Sequence, residues 1–518
     1  MGCGAIPETQ AQKFFTEINQ SVDKETPTFI NHNDLSEQVA LKISITNIEK
    51  NSEYKIESFS IIDGLTQSLN LMETCIIDNK TKTAILKTSI LMRYYFEKEQ
   101  KIKFIINKSG SNTKEFKFVT TLGCVMGSRN TTLIKEIPES DGEIINICGE
   151  KMNDYSEEIL IIDFKLKTKH SNIINYSDTK NKLIYNISDE SNRPIYNSES
   201  LNDNGTWNIV KIPSGLLNKG IILKFLNYNR KVILQINTTI PQLIDKQQFI
   251  LKLGLGRTLT CISNSKITKD YTFVDYLKAG VQIGLNIAID FTASNKDPND
   301  PKSLHYIAGL EPNQYERAIY SCGNIMAYYD YDQLFPCYGF GAKMGDKPCP
   351  LFNLNFQYNP NIHTINNIIK EYHNALSTVK LWGPTQFGPI IKATCDMIKE
   401  ENNFRKYQVL MILTDGMIDD MDYTIDQLVE GSFLPLSIII IGVGKADFSM
   451  MTELDSDEKT LVDSNKRKSV RDLVQFVPFL KYEANPEKLA QEVLAEIPRQ
   501  IIQFYQQNDL DPMKISTQ

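Results

Sequence analysis

The spacing of apolar residues changes near residue 250, and no other feature of the sequence constrains the fold as strongly. Before this point, short runs with an apolar residue at every second position, such as VALKISITNI (39–48) and EILIIDFKLKTK (158–169), are separated by turn-rich stretches. After it, apolar runs alternate with helical patterns. We therefore expect antiparallel β-structure in the first half of the chain and an α/β domain in the second half.

The first half divides into two blocks of similar texture, each of roughly the hundred residues that are typical of a β-sandwich. The second half contains strands that are apolar throughout, such as LPLSIIIIGVG (434–444). Such strands are buried on both faces, which is typical of a doubly wound parallel sheet. The predicted order is a leader at 1–30, antiparallel β-sandwiches at 31–140 and 141–245, a doubly wound α/β domain at 250–505, and a tail at 506–518.

The composition limits the classes of function. The chain has 518 residues and a net charge of −7, which does not favour a nucleic-acid partner. Its nine cysteines are scattered singly, without the CxxC spacing of a zinc module, and they predict a reducing environment. The longest apolar run, 434–444, is too short to cross a bilayer. We therefore expect a cytoplasmic protein without a membrane span.

Oxygen-bearing side chains follow two of the predicted strands and occupy one loop between helical patterns. They are Asp290, Thr292 and Ser294 in IAIDFTASN, Thr385 in GPTQFGP, and Asp415 in LTDGMIDD. Each segment taken singly reads well as a helix cap or a turn. The carboxyl ends of parallel strands meet at one edge of a sheet, however, and ligands bind there. All three segments together favour a metal site.

The chemistry of this set suits a hard divalent cation. Mg²⁺ takes six oxygen ligands and usually keeps several waters, and Mn²⁺ accepts the same kind of ligand. Three hydroxyls and two carboxylates supply the oxygens but little charge. The bound ion would therefore still attract a carboxylate from a partner protein. The sequence predicts a Mg²⁺ or Mn²⁺ site that a partner's Asp or Glu completes.

Several stretches of the second half together resemble one protein family, the copines. They are DFTASN (290–295), SLHYI (303–307), FPCYGFGA (335–342), GPTQFGPII (383–391), ILTDGMIDD (412–420) and RDLVQFVPF (471–479). The resemblance implies two C2 domains followed by a von Willebrand factor A-like domain. It also implies that the five oxygen-bearing residues match a metal-ion-dependent adhesion site, and that the C2 domains bind phospholipid with calcium.

The loops of the two β-blocks depart from the family pattern. Asn107 follows KIKFII in the first block, and Asn227 and Asn229 lie in FLNYNRK of the second block, where the family carries aspartates. An amide supplies an oxygen but no charge, whereas Ca²⁺ needs six to eight oxygens with dense negative charge. We therefore expect that neither C2 domain is a working calcium switch.

Two features indicate other routes to a membrane. Lys165, Lys167 and Lys169 fall on one face of a predicted strand and could meet anionic headgroups, although a solvated face is an equal alternative. Gly2 and Cys3 in MGCGAI suit myristoylation plus palmitoylation, and two chains would anchor the protein stably. The acylation pattern also wants Ser or Thr at position 6, where this chain has Ile6, so an ordinary flexible start is the alternative.

Three functions are compatible with these observations. The first is a non-enzymatic signalling adaptor at the inner face of the plasma membrane or at other membranes, which binds anionic phospholipid through its β-domains and protein through its metal site. The second is a metal-independent scaffold whose α/β domain is held shut against the β-domains. The third is an enzyme with kinase-like activity, but the chain has no Gly-rich loop before a strand lysine and no HRD- or DFG-like set.

Overall fold

The computed structural model describes residues 36–517, apart from 63–64, 111–112, 153–157, 168–182, 202–204, 214–219, 228, 255–256, 270, 310 and 456–459. The first domain contains β1 (Glu37–Thr46), β2 (Glu53–Ile62), β3 (Leu65–Thr74), β4 (Ile76–Asp78), β5 (Thr83–Ile85), β6 (Ile90–Tyr94), β7 (Lys101–Ser109), β8 (Lys114–Thr121), helix α1 (Leu122–Gly127), β9 (Thr132–Glu136) and β10 (Ile144–Lys151).

This domain is an antiparallel β-sandwich, as the alternating pattern predicts. One sheet has the order β3-β2-β7-β8, and the other has the order β4-β5-β1-β10-β9, with β6 also paired to β1. In β1, Val39, Leu41, Ile43 and Ile45 are buried and alternate with more exposed residues. Their period of two turns every second side chain into the space between the sheets.

The boundary between the two sandwiches lies later than the expected division at 140 and 141. Strand β10 pairs along its length with β1, from Val39 opposite Lys151 to Thr46 opposite Ile144. It therefore completes the first sandwich instead of beginning the second. A strand's own sequence shows that it is a strand, but the sheet it joins is decided by long-range pairing, and this explains the misplaced boundary.

The second domain is a smaller antiparallel sandwich. It contains β11 (Glu158–Ile162), β12 (Phe164–Lys167), β13 (Ile184–Asp189), β14 (Pro194–Asn197), β15 (Val210–Pro213), β16 (Ile221–Leu226), β17 (Val232–Thr238), α2 (Ile240–Asp245), β18 (Gln248–Gly254), β19 (Arg257–Ser263) and β20 (Lys266–Lys269). The sheet β14-β13-β16-β17 faces the short sheets β15-β11-β20 and β12-β19-β18. Because β18 to β20 pair with this domain, it ends near 269, after the expected limit of 245.

The third domain is a doubly wound α/β domain. It contains α3 (Phe273–Lys278), β21 (Gln282–Asp290), α4 (Gln314–Met326), β22 (Leu334–Met344), β23 (Lys347–Asn353), β24 (Asn361–His363), α5 (Ile365–Thr378), β25 (Lys380–Leu381), α6 (Gly388–Glu401), β26 (Lys406–Thr414), α7 (Met421–Gly431), β27 (Leu436–Gly442), α8 (Ser449–Leu454), β28 (Val474–Pro478), α9 (Pro486–Leu494), α10 (Ile497–Gln507) and α11 (Pro512–Thr517). Ile515 of α11 is fully buried, so the expected tail belongs to this domain.

The sheet of the third domain has the order β23-β22-β21-β26-β27-β28. Its members from β22 to β28 run parallel, and β23 is an antiparallel edge strand. Apolar residues from both faces of β21 are buried: Ile287 lies in one hydrophobic cluster and Ala288 in another. This two-sided burial explains why these strands are apolar throughout.

The first sandwich and the third domain share one continuous hydrophobic core, whereas the second sandwich has its own. Phe96 of the first sandwich packs on Phe273 and Tyr329, with ring centroids 5.2 and 4.7 Å apart. The hydroxyls of Tyr94 and Tyr329 are 2.6 Å apart and buried. The carboxylate of Glu37 accepts hydrogen bonds from the Thr272 hydroxyl (2.6 Å) and the backbone amide of Val274 (3.1 Å) at the start of α3.

We predict that Phe96→Ala lowers the free energy of unfolding by about 3–5 kcal/mol and loosens both the first sandwich and the third domain. Hydrogen–deuterium exchange along the chain measures which domains respond. Phe164→Ala is the matched control, because Phe164 lies in the core of the second sandwich and its loss should affect that domain alone. Faster exchange confined to the first sandwich after Phe96→Ala would contradict a shared core.

Candidate functional site

Two neighbouring parallel strands bring the candidate carboxylates to one edge of the sheet. Strands β21 and β26 pair in parallel, with Ile289 opposite Leu413, so the residues that follow both strands emerge side by side. Asp290 ends β21 and Asp415 directly follows β26. The strand pairing therefore brings together residues that are more than one hundred positions apart in the chain.

The side chains from these two strand ends form a connected cluster. The Ser294 hydroxyl donates to Oδ1 of Asp415 at 2.8 Å, and the hydroxyls of Thr292 and Ser294 are also 2.8 Å apart. The Thr292 hydroxyl lies 3.5 Å from the same Asp415 oxygen. Ser294 is exposed, whereas Thr292 and Asp415 are buried, so the cluster opens to solvent on the Ser294 side.

Asp290 lies behind this cluster and is fully buried. Its Oδ1 accepts the backbone amide of Thr292 at 2.8 Å, and its Oδ2 accepts the Thr414 hydroxyl at 2.6 Å. Each carboxylate oxygen is thus already used to hold a neighbouring loop. Asp290 contributes negative charge and fixes the position of Thr292.

Thr385 reaches the cluster from the loop before α6. Its backbone amide donates to Oδ2 of Asp419 at 2.7 Å, and the Asp419 amide donates back to the Thr385 carbonyl at 2.8 Å. A Cβ placed on Gly416 would lie 3.4 Å from the Thr385 hydroxyl and 3.9 Å from the Ser294 hydroxyl. Both hydroxyls therefore border the same small space, so all five predicted residues lie around one point.

The electrostatics of the cluster are unusual because two acidic side chains lie in a buried region. Burial raises the pKa of Asp290, and burial together with the charge of Asp290 raises the pKa of Asp415. Among the described residues, no lysine or arginine offsets these charges. Buried charges without a partner are costly, so a bound cation would relieve this arrangement.

Hydroxyls and carboxylates are the ligand types that Mg²⁺ and Mn²⁺ take in proteins. Within the described part of the chain, no group of three or more His, Cys, Asp or Glu side chains is arranged to hold a metal. A metal here would therefore depend on Thr292, Ser294 and Thr385 as much as on the acids. The residues present fit a hard divalent cation and do not fit a zinc site of cysteines and histidines.

Supporting residues that the sequence analysis did not assign hold this cluster in place. Nδ2 of Asn295 donates to Oδ1 of Asp415 at 3.0 Å, and the Tyr315 hydroxyl donates to Oδ1 of Asn295 at 2.7 Å. Asp420 accepts the backbone amides of Phe387 and Gly388 at 3.0 and 2.9 Å, which fixes the loop that carries Thr385. Asn295 and Asp420 directly adjoin the recognised stretches, and that adjacency was the available signal.

His305 supports the cluster and does not act as a ligand in this arrangement. Its Nε2 lies 2.9 Å from the carbonyl oxygen of Asp290, and its Nδ1 lies 2.7 Å from the Tyr372 hydroxyl. Because a carbonyl only accepts, Nε2 donates and Nδ1 accepts. Burial lowers the pKa of His305 to about 3, so the ring is neutral. Both ring nitrogens are thus occupied in positioning β21.

The other predicted site residues are treated separately. Lys165 and Lys167 are exposed on β12, on the face opposite buried Phe164 and Leu166, and Lys165 also pairs with Asp163 at 3.5 Å. Lys169, Gly2 and Cys3 lie outside the described residues. Of the loop amides, Asn227 accepts the backbone amides of Asn229 and Lys231 at 3.1 and 2.9 Å, so its oxygen shapes a turn.

Comparison with known families identifies the domain that contains most of this site. Residues 303–513 match the family model described as Copine. The chain carries a copine domain. The match covers Thr385, Asp415 and the supporting residues His305 and Asp420, while β21 and the DFTASN stretch lie just before it.

Solved structures of similar fold fall into two groups. Among those similar to the copine domain region are the SpRpn10 VWA domain (12% identity over 38% of this chain and 87% of that chain, TM-score 0.26) and the manganese-loaded Plasmodium vivax TRAP protein (11%, 41% and 74%, TM-score 0.24). A calcium-bound structure of the tandem C2 domains of Extended-Synaptotagmin 2 is also similar (9%, 45% and 98%, TM-score 0.17). The architecture given above rests on the strand pairing of this chain itself.

We predict that Mg²⁺ stabilises the protein and that Asp415→Asn abolishes this effect. At a hundredfold excess over its Kd, Mg²⁺ should add about 2.7 kcal/mol to the free energy of unfolding. In EDTA, the variant should be at least as stable as the wild type, because it loses a buried charge but keeps a hydrogen-bond acceptor. Thermal unfolding with EDTA and with Mg²⁺ measures both effects.

Asp297→Asn is the matched control, since Asp297 lies in the same loop but is exposed. This variant should respond to Mg²⁺ as the wild type does. A wild-type melting temperature that is the same in EDTA and in Mg²⁺ would count against a metal at this site.

Proposed function

We propose that this chain is a non-enzymatic adaptor that associates with membranes through its β-sandwiches and binds a partner protein through a divalent metal in its copine domain. Thr292, Ser294, Thr385 and Asp415 would hold Mg²⁺ or Mn²⁺, and Asp290 would orient them from behind. The bound ion would supply an open coordination position that a partner's Asp or Glu could fill. The observation that carries this proposal is the convergence of these oxygens around two buried and uncompensated carboxylates.

The location of the domain contacts supports an accessible metal site over a scaffold that is held shut. The Ile283 amide, at the start of β21, donates to the carbonyl of Tyr329, the residue that also contacts the first sandwich. Asp290 lies at the other end of this nine-residue strand, about 25 Å away. The second sandwich reaches the copine domain through Lys266 and Asp509, beyond α10. These contacts leave the Ser294 side of the cluster open to solvent.

For the membrane, we propose attraction between anionic phospholipid and the exposed face of β12. Lys167 carries most of this proposal, because Lys165 already has Asp163 as a partner. Acylation of Gly2 and Cys3 would make anchoring permanent and would place the protein at the cytoplasmic face of a membrane. Within the described residues, no helix has both the length and the apolar character to span a bilayer.

We predict that the chain retains partner proteins in Mg²⁺ and releases them in EDTA. Immobilised full-length protein should lose these partners after Thr385→Val, which removes one ligand hydroxyl and keeps the shape of the side chain. Thr378→Val, on the exposed end of α5, should behave as the wild type. Mass spectrometry of the retained proteins gives the measurement. Retention that is equal with Mg²⁺ and EDTA would favour the metal-independent scaffold.

We predict that binding to anionic liposomes is independent of Ca²⁺ and weakens after Lys167→Gln. One lysine near an anionic surface contributes about 1 kcal/mol, so the affinity should fall about fivefold. Lys278→Gln, an exposed lysine of α3 in the copine domain, is the control and should change little. Sedimentation with liposomes, in EGTA and in Ca²⁺, tests both statements. Binding that appears only with Ca²⁺ would contradict them.

A further inference from the structure

One end of the first sandwich contains a second group of converging acidic side chains, distant in sequence from the metal cluster. The loop between β1 and β2 and the loop between β9 and β10 meet here, where Nδ2 of Asn47 donates to the Gly142 carbonyl at 3.4 Å. Lys108, the second-to-last residue of β7, extends its side chain between these loops. Three carboxylates from two loops therefore face one ammonium group.

The contacts of Lys108 resemble the surroundings of a bound cation. Its Nζ lies 2.8 Å from Oε1 of Glu143, 3.1 Å from Oε2 of Glu49 and 3.7 Å from Oδ2 of Asp141. The side chains of Lys108 and Glu143 are both only 2% exposed. Nearly complete burial of a lysine is rare unless its charge is compensated.

The remaining hydrogen bonds of Glu143 are also satisfied. The Tyr54 hydroxyl donates to its Oε1 at 3.1 Å, and the Asp141 amide donates to its Oε2 at 2.7 Å. Lys114 pairs with Asp141 at 3.1 Å nearer the surface. Removal of Lys108 would leave three carboxylates with one ammonium and would leave Glu143 buried without its main counter-charge.

Desolvation opposes the charge of Lys108, but hydrogen bonds with Glu143 and Glu49 outweigh it and raise the pKa of Lys108. The pKa of Glu143 is lowered, because its hydrogen bonds, that of Lys108 first among them, outweigh its own desolvation. Both groups therefore remain charged at neutral pH. The ammonium is a permanent part of this end of the sandwich.

We propose that Lys108 determines the cation requirement of the first sandwich: its ammonium joins the two loops where a divalent cation would otherwise be needed, and so excludes Ca²⁺. Ca²⁺ binds clusters of carboxylate and carbonyl oxygens supplied by loops, and Lys108 occupies the centre of such a cluster here. This role concerns the first sandwich alone and does not depend on the metal site proposed for the copine domain.

Lys108→Gln in the full-length chain tests this proposal. Hydrogen–deuterium exchange of segments 47–52 and 137–143 is measured with and without Ca²⁺, in buffer that holds saturating Mg²⁺ for the copine domain. The wild type should show no change with Ca²⁺. The variant should exchange faster without Ca²⁺, and exchange should slow about tenfold when Ca²⁺ exceeds its Kd tenfold.

Two control variants separate this role from a general loss of charge. Lys108→Arg keeps the cation and should not respond to Ca²⁺. Lys114→Met removes an exposed ammonium at the same end but leaves Lys108, and it should behave as the wild type. Slower exchange in the wild type on addition of Ca²⁺ would overturn the proposal, and so would a folded Lys108→Gln variant that ignores Ca²⁺.

Failure of Lys108→Gln to fold would still give a decision. Recovery of the folded variant only when Ca²⁺ is present would support the proposal, because the ion would then replace the ammonium. If the variant is recovered under neither condition, the wild-type measurement decides: exchange unchanged by Ca²⁺ supports the proposal, and slower exchange overturns it. Because exchange is read in these two segments, neither outcome depends on whether the copine domain binds a partner.

Discussion

The parallel pairing of β21 with β26 is the constraint on which the candidate site depends. It puts Asp290 and Asp415 at one edge of the sheet, buried and without a positively charged side chain near them among the described residues. Such a pair destabilises a protein unless hydrogen bonds and a counter-charge offset its cost. Thr292, Thr414, Ser294 and Asn295 supply the hydrogen bonds, and the counter-charge is left to come from outside the chain.

The first sandwich meets the same electrostatic problem in another way. Glu143 is as deeply buried as the carboxylates of the copine domain, but Lys108 lies 2.8 Å from it and completes the charge balance within the chain. A cluster with its own ammonium is fixed and cannot be switched by an ion. A cluster without one can respond to a metal and to a partner's carboxylate. In our proposals, the chain thus keeps its ion dependence for protein binding and gives it up at this end of the first sandwich.

The arrangement of the domains is consistent with this division. The first sandwich packs on the copine domain near the start of β21 through Phe96, Tyr94 and Glu37, and the two domains share one core. The candidate metal site lies at the opposite end of the same strand. A partner bound there would approach a surface that the described contacts between domains leave free, while the sandwiches could face a membrane.

The sequence by itself determined the kinds of structure and the site residues. Period-two apolar spacing in VALKISITNI is enough to specify a half-buried strand, and an apolar run such as LSIIIIG must be buried on both faces, because these are local consequences of side-chain direction. The five oxygen-bearing residues could be chosen because each follows a strand or lies in a loop of one predicted sheet. Only the tertiary structure decided that β10 belongs with β1, that Ile515 is buried, and that Lys108 faces Glu49, Asp141 and Glu143. These features rest on contacts between residues that are far apart in the chain, and such contacts leave no periodic trace in the local sequence.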